Sequence, residues 1–184
     1  MSLARVVMMF ALLTCLTAPG CERSEDVMKE SLKIVGVLDS LHASAAKADG
    51  KAYFGLFAPD AIFLGTDASE RWTLAQFRAY AEPYFAKGQG WTYTVTERNV
   101  TLDEDVAWFD ERLSNEKYGE CRGTGVLVRR GGEWKIAQYN LTVPIPNDLL
   151  PKVAEQIRAM QAPARPQNAP GAPEAGTTAE PGSR

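Results

Sequence analysis

The stretch 106-VAWFDERLSN-115, with 123-GTGVLVRRGGEWKIAQYNLTVPIP-146 after it, decides the fold of this 184-residue chain. Val106, Trp108, Phe109, Val126, Val128, Trp134, Ile136 and Tyr139 are residues that fit a pleated, half-buried surface. Gly131-Gly132 interrupts them, and adjacent glycines accept the positive φ angles of a two-residue hairpin turn. The segment therefore predicts three consecutive antiparallel strands. A sheet must bury one face, and the residues before it supply the helices that can cover it.

Working outward, WTYTVTERNV (91–100) alternates Trp91, Tyr93 and Val95 with Thr92, Thr94 and Thr96, the period of a half-buried strand. Before it, Leu74, Phe77, Tyr80, Ala81 and Tyr84 recur at helical spacing behind Thr73, a residue suited to cap a helix running to about Lys87. Pro83 should kink or shorten that helix. GTDASERWT (65–73) reads as a polar loop carrying one tryptophan. KAYFGLFAPDAIFLG (51–65) reads as an aromatic helical turn, a Pro59-Asp60 corner and a strand over 61–64, with Tyr53, Phe54 and Phe57 in the core. From Asp26 to about Ala48, Ile34, Val37, Leu38, Leu41 and Ala45 form the apolar stripe of an amphipathic helix. The one histidine, His42, stands at the edge of that stripe. On the C-terminal side, residues 144–160 predict a helix with Leu149, Leu150, Val153, Ile157 and Met160 toward one side. Residues 162–184 hold no large apolar side chain, and a disordered tail is expected there.

The first 21 residues are read apart from the fold. Arg5 followed by VVMMFALLTCLTA is a short charged region and an apolar run, the pattern of a secretory signal. The run is too short for a membrane-spanning helix, which needs about 20 residues. It ends in Ala18-Pro19-Gly20-Cys21, which resembles a bacterial lipobox with Cys21 as the lipid attachment site; ordinary cleavage near the same place is the alternative. The expected organisation is a signal over 1–21, a domain over 26–161 and a tail over 162–184. The expected location is the outer side of a cell membrane or outer membrane. Cys15 would be lost with the signal and Cys21 acylated, leaving Cys121 alone in the domain, either a small buried hydrophobe or a reactive thiol.

With 45% hydrophobic and 23% charged residues the chain can build one real core. A net charge of −3 and the lack of a Lys/Arg cluster argue against nucleic acid as a partner. No ligand spacing for a metal, no nucleophile–base pair and no glycine-rich phosphate loop is visible, so neither metal nor cofactor is expected.

FAPDAIFLGTDASERWTLAQFRAYAEPYF, AWFDERL, YGECRGTGVL and WKIAQYNLTVPIPNDL, together with the order of elements, resemble the SnoaL-like branch of the nuclear transport factor 2-like superfamily over about residues 30–150. The resemblance implies an α+β, cystatin-like fold: a curved antiparallel sheet with helices on its concave face, enclosing a conical pocket. It also implies a choice of roles, since the superfamily includes isomerases, cyclases, dehydratases and proteins that only bind ligands or assemble.

Alternation selects the residues that would line such a pocket. Trp134 and Ile136 should face the core, carrying Gln138 and Asn140 inward and leaving Lys135 and Tyr139 outside. In β-strand 106–113 either face could be inner. The Trp108 face is chosen because it carries Asp110, which the resemblance turns toward the cone as a candidate base; an ion pair with Arg112 is the alternative. Trp72 and Asp67 are expected near the mouth, and His42 and Tyr53 within reach of the interior. Three functions stay open: binding of a small molecule, proton-transfer catalysis by a pocket carboxylate, and assembly as a homodimer through an outer face bearing Tyr139 and Leu141.

Overall fold

The computed structural model describes residues 19–161, with side chains from Glu25 onward. The expected signal, apart from the backbone of its last residues, and the expected tail lie outside the described residues. The chain divides after Pro144 into two units.

In the first unit, α1 (Pro19–Ala46) starts earlier than the apolar stripe required and ends at Ala46. Its Ile34, Leu38, Leu41 and Ala45 are buried, as their spacing predicts. Asp49 caps α2 (Gly50–Gly55) by accepting from the Ala52 N–H at 3.0 Å, and Tyr53 and Phe54 on that short helix are buried. Strand β1 (Phe57–Leu64) leads through a hairpin into β2 (Arg71–Thr73), a strand in the segment expected to be loop. Thr73 then caps α3 (Leu74–Phe85) with a full capping box: its Oγ1 accepts from Gln76 N, and the Gln76 side chain accepts from Thr73 N. Pro83 falls in the last turn of α3, where the helix stops at Phe85.

Four long strands follow: β3 (Thr94–Asp103), β4 (Val106–Asn115), β5 (Gly119–Arg130) and β6 (Glu133–Thr142). The β5–β6 turn is the Gly131-Gly132 pair, with φ of 60° and 85°. The six strands form one sheet in the order β2-β1-β6-β5-β4-β3. The class is α+β, as expected, but the sheet is mixed: β1 lies parallel to β6, and every other pairing is antiparallel. The inner face is covered by α1, α2 and α3, and the core gathers between sheet and helices around Phe54, Phe57, Phe77, Phe109, Leu127 and Ile136.

Besides β1, whose register against β6 shifts between Phe57 and Ile62, two strands break step. In β3, Val95 pairs with Leu113 but Glu97 pairs with Arg112, so Thr96 is an extra residue. In β6, Gln138 pairs with Val126 but Ile136 pairs with Leu127, so Ala137 is extra. Each bulge reverses which side chains point inward beyond it. The second unit contains α4 (Leu150–Gln161), close to the helix predicted over 144–160.

Candidate functional site

Sheet and helices leave an aromatic cleft. Its outer part, about 240 Å³, is lined by Phe63, Trp72, Phe77, Tyr80, Trp91 and Tyr93 among others. An inner chamber of about 20 Å³, room for about one water, is bounded by His42, Tyr53 and Tyr139 and by apolar neighbours. Phe63, Trp91, Tyr93 and Leu141 belong to both, so the two spaces share a wall. The rings of Phe63, Trp72, Phe77 and Tyr139 lie nearly parallel, at 13–15° for the four close pairs they form.

Behind the chamber lies a buried polar chain. Glu111 on β4 has 0% exposure, and its Oε2 is 2.8 Å from Nε2 of His42 on α1. Arg98 on β3, opposite Glu111 in register, donates from Nε to Glu111 Oε1 at 2.6 Å. Arg98 Nη1 donates to Asp39 Oδ1 at 2.6 Å, and the remaining nitrogen, Nη2, is buried without a partner. The bulge at Thr96 turns Arg98 inward, and α1 places Asp39 and His42 three residues apart on the side that meets it. A carboxylate without exposure requires compensation of this kind, since a buried charge is tolerated when it is paired and hydrogen-bonded. As acceptor, Glu111 holds the Nε2–H tautomer of His42. His42 Nδ1 has no hydrogen-bond partner among the described residues.

Gly123 on β5 makes room for this arrangement. It pairs with Glu111, and a Cβ built there would lie 2.6 Å from Tyr139 Oη and 3.1 Å from Glu111 Oε2. The Tyr139 phenol is therefore beside the carboxylate. Burial first, and the charge of Glu111 second, push its pKa well above the ordinary tyrosine value. Burial also raises the Tyr53 phenol and pushes Tyr93 up to about 12.

Of the residues expected at the site, His42 and Tyr53 line the inner chamber and Trp72 lines the outer cleft. Asp67 lies in the β1–β2 hairpin and accepts from Ser69 N at 2.8 Å and Ser69 Oγ at 2.5 Å, bonds that lower its pKa; it does not line the cleft. Asp110 and Trp108 are corrected. The inner face of β4 is Ala107, Phe109, Glu111 and Leu113, so Asp110 is outside and exposed, accepting from Asn99 Nδ2 at 3.1 Å. Trp108 is 48% exposed on that same outer face. Arg112 does not pair with Asp110; it meets Glu97 and Glu120. Gln138 and Asn140 are corrected as well. The Ala137 bulge sends both outward and brings Tyr139 in, to 4% exposure, which also removes Tyr139 from the expected dimer face.

Glu111, Arg98 and Tyr139 were not expected at the site, although signals for them exist in the sequence. A three-residue step in the inward alternation, from Val95 to Arg98 and from Ile136 to Tyr139, marks each bulge. Paired glycines at 123 and 125 mark a strand crowded from its neighbours. Cys121 is buried at 1% exposure, and burial raises its thiol pKa. No group of three or more His, Cys, Asp or Glu side chains suited to hold a metal occurs among the described residues.

The SnoaL-like domain model matches residues 34–146, more than half of the chain, and the chain belongs to that family. No curated protein matches it. Among solved structures it is similar to an NTF2-like protein of unknown function from Pseudomonas putida, with 14% identity, TM-score 0.57, and coverage of 66% of this chain and 91% of that one. It is also similar to a protein of unknown function with a cystatin-like fold from Nostoc punctiforme, with 16% identity, TM-score 0.53, and coverage of 62% and 90%. A third is a "putative dehydratase from the NTF2-like family" of Streptomyces avermitilis, with 10% identity, TM-score 0.56, and coverage of 64% and 98%. At these identities the likeness is one of fold.

Proposed function

We propose that the domain binds a small molecule in the aromatic cleft and moves a proton on it, in a reaction of isomerase or lyase type. His42, which lines the inner chamber and not the outer cleft, is the base and reaches the ligand through the one water that the chamber has room for; Glu111 is the residue that positions it. The observation that carries this reading is the 2.8 Å contact between His42 Nε2 and a carboxylate of 0% exposure, with the histidine ring in the wall of the inner chamber. Glu111 fixes the tautomer and stabilises the imidazolium that forms when Nδ1 takes a proton, and Arg98 keeps Glu111 compensated in the meantime. The pocket carboxylate is thus Glu111 acting through His42, in place of Asp110 acting directly. The family's inclusion of ligand binders and of dehydratase- and isomerase-type enzymes supports the reading.

The test needs no natural substrate. 5-Nitrobenzisoxazole opens when a base removes its ring C–H proton, and the product is a coloured phenolate. The full chain should accelerate that opening, His42→Ala should lose about 100-fold of the excess rate, and Glu111→Gln should move the pH profile. A wild-type rate no higher than that of His42→Ala would end the catalytic reading and leave binding alone.

We propose further that the protein is exported and held at a membrane by lipid on Cys21. Arg5, the apolar run and the small residues before that cysteine support this.

A further inference from the structure

The outer cleft has a distinctive charge pattern. Phe63, Trp72, Phe77, Tyr80, Trp91 and Tyr93 supply aromatic surface to its wall, and Tyr118 stands at the rim, 50% exposed. Burial raises the pKa of Tyr80 and pushes Tyr93 up to about 12, so these phenols stay neutral. Neither Lys nor Arg lines the cleft; its one fully charged lining side chain is the carboxylate of Glu70.

The hairpin between β1 and β2 sets that carboxylate in place. Gly65 N donates to Glu70 O at 2.9 Å, closing the loop, and Asp67 N donates to Glu70 Oε2 at 3.2 Å. Glu70 Oε2 occupies the space that a Cβ on residue 65 would fill, so the glycine is what lets the side chain fold back into the cleft wall. The other oxygen, Oε1, has no hydrogen-bond or ion-pair partner among the described residues.

Aromatic faces carry negative quadrupole potential and attract a cation whose hydration is weak, and a carboxylate adds a full counter-charge. The same surroundings disfavour an anion, which would find no cationic partner among the lining residues. Lys117 Nζ sits 4.9 Å from the Tyr118 ring centroid at the rim, which occupies that ring, and Arg98 is already engaged by Glu111 and Asp39 behind the chamber.

We infer that the cleft takes an organic cation, an alkylated or quaternary ammonium compound, with its charged head against the rings of Trp72, Tyr80, Trp91 and Tyr93 and Glu70 as its counter-ion. This rests on the reading of the cleft as a ligand site and names the class of ligand. Its volume of about 240 Å³ lies below the roughly 300–1,000 Å³ of drug-sized sites and so limits the ligand to a smaller molecule.

Choline and its uncharged carbon isostere, 3,3-dimethylbutan-1-ol, separate the two levels of the inference, and benzoate serves as the anionic probe. The readout is the set of indole N–H signals of the full chain, whose four tryptophans include Trp108 on the outer face and Trp134 bonded to Glu30 as internal controls. Choline should shift Trp72 and Trp91 at a concentration about tenfold lower than the isostere, and Glu70→Gln should remove about that factor for choline while leaving the isostere unchanged. Equal binding of choline and the isostere, or tighter binding of benzoate, overturns the cation inference while the ligand site stands. No shift of Trp72 or Trp91 with any of the three overturns the cation inference and the cleft reading together.

Discussion

Glu111 keeps its place in a dry interior because each of its oxygens meets a nitrogen, His42 Nε2 on one side and Arg98 Nε on the other. Burial favours the neutral form of the neighbouring phenols. Tyr93 is pushed up to about 12, and Tyr53 and Tyr139 are raised as well. A folded-state pKa above the unfolded value of about 10 gives stability that is complete below pH 10. That stability is lost as pH rises through the folded pKa, because the unfolded chain releases protons that the fold retains. Denaturation measured from pH 8 upward should show stability falling between about 10 and 12. Tyr93→Phe should make that fall shallower, and identical slopes for the two proteins would refute the burial account. His42 could be placed from sequence at the edge of a buried stripe. Its partner could not, because both faces of β4 carry a large aromatic, Trp108 on one and Phe109 on the other, and alternation alone does not choose between them.

At the scale of elements, helices and strands were largely legible because they depend on local spacing and caps: the stripe of α1, the Thr73 cap of α3 and the glycine turn of β5–β6 all stand where their residues put them. The direction of side chains past a bulge was not, because one extra residue reverses every later position in the strand. The short β2 was read as loop, since three residues carry too little pattern to register; its pairing with β1 is what makes it a strand. Gly123 gives a test of how the elements fit. Gly123→Ala sets a methyl against Tyr139 Oη and Glu111 Oε2 and should cost about 1–3 kcal/mol in denaturant unfolding. Tyr139→Phe removes the nearer of those atoms and should recover part of the loss when the two changes are combined. Strict additivity of the two substitutions would show that Tyr139 does not fill the space the glycine leaves.

For the whole molecule, the family and the α+β fold were readable from the order of elements and from local wording spread over most of the domain. The cleft needed three dimensions, because its walls come from α1, α2, β1, β2, α3, β6 and the segments just before β3 and β5. The proposed attachment at Cys21 is tested by metabolic labelling with a fatty acid: the wild type should take up label and sediment with membranes, and Cys21→Ala should do neither. Equal labelling of the two would remove the anchor. Helix α1 includes Cys21 at its start and His42 near its end. At a rise of about 1.5 Å per residue, the helix between those two positions measures about 30 Å. A protein tethered at Cys21 would therefore carry its own ruler, and α1 standing upright would lift the chamber clear of the lipid headgroups. In that posture the proposed ligand would reach the cleft from the surrounding fluid and not from within the bilayer.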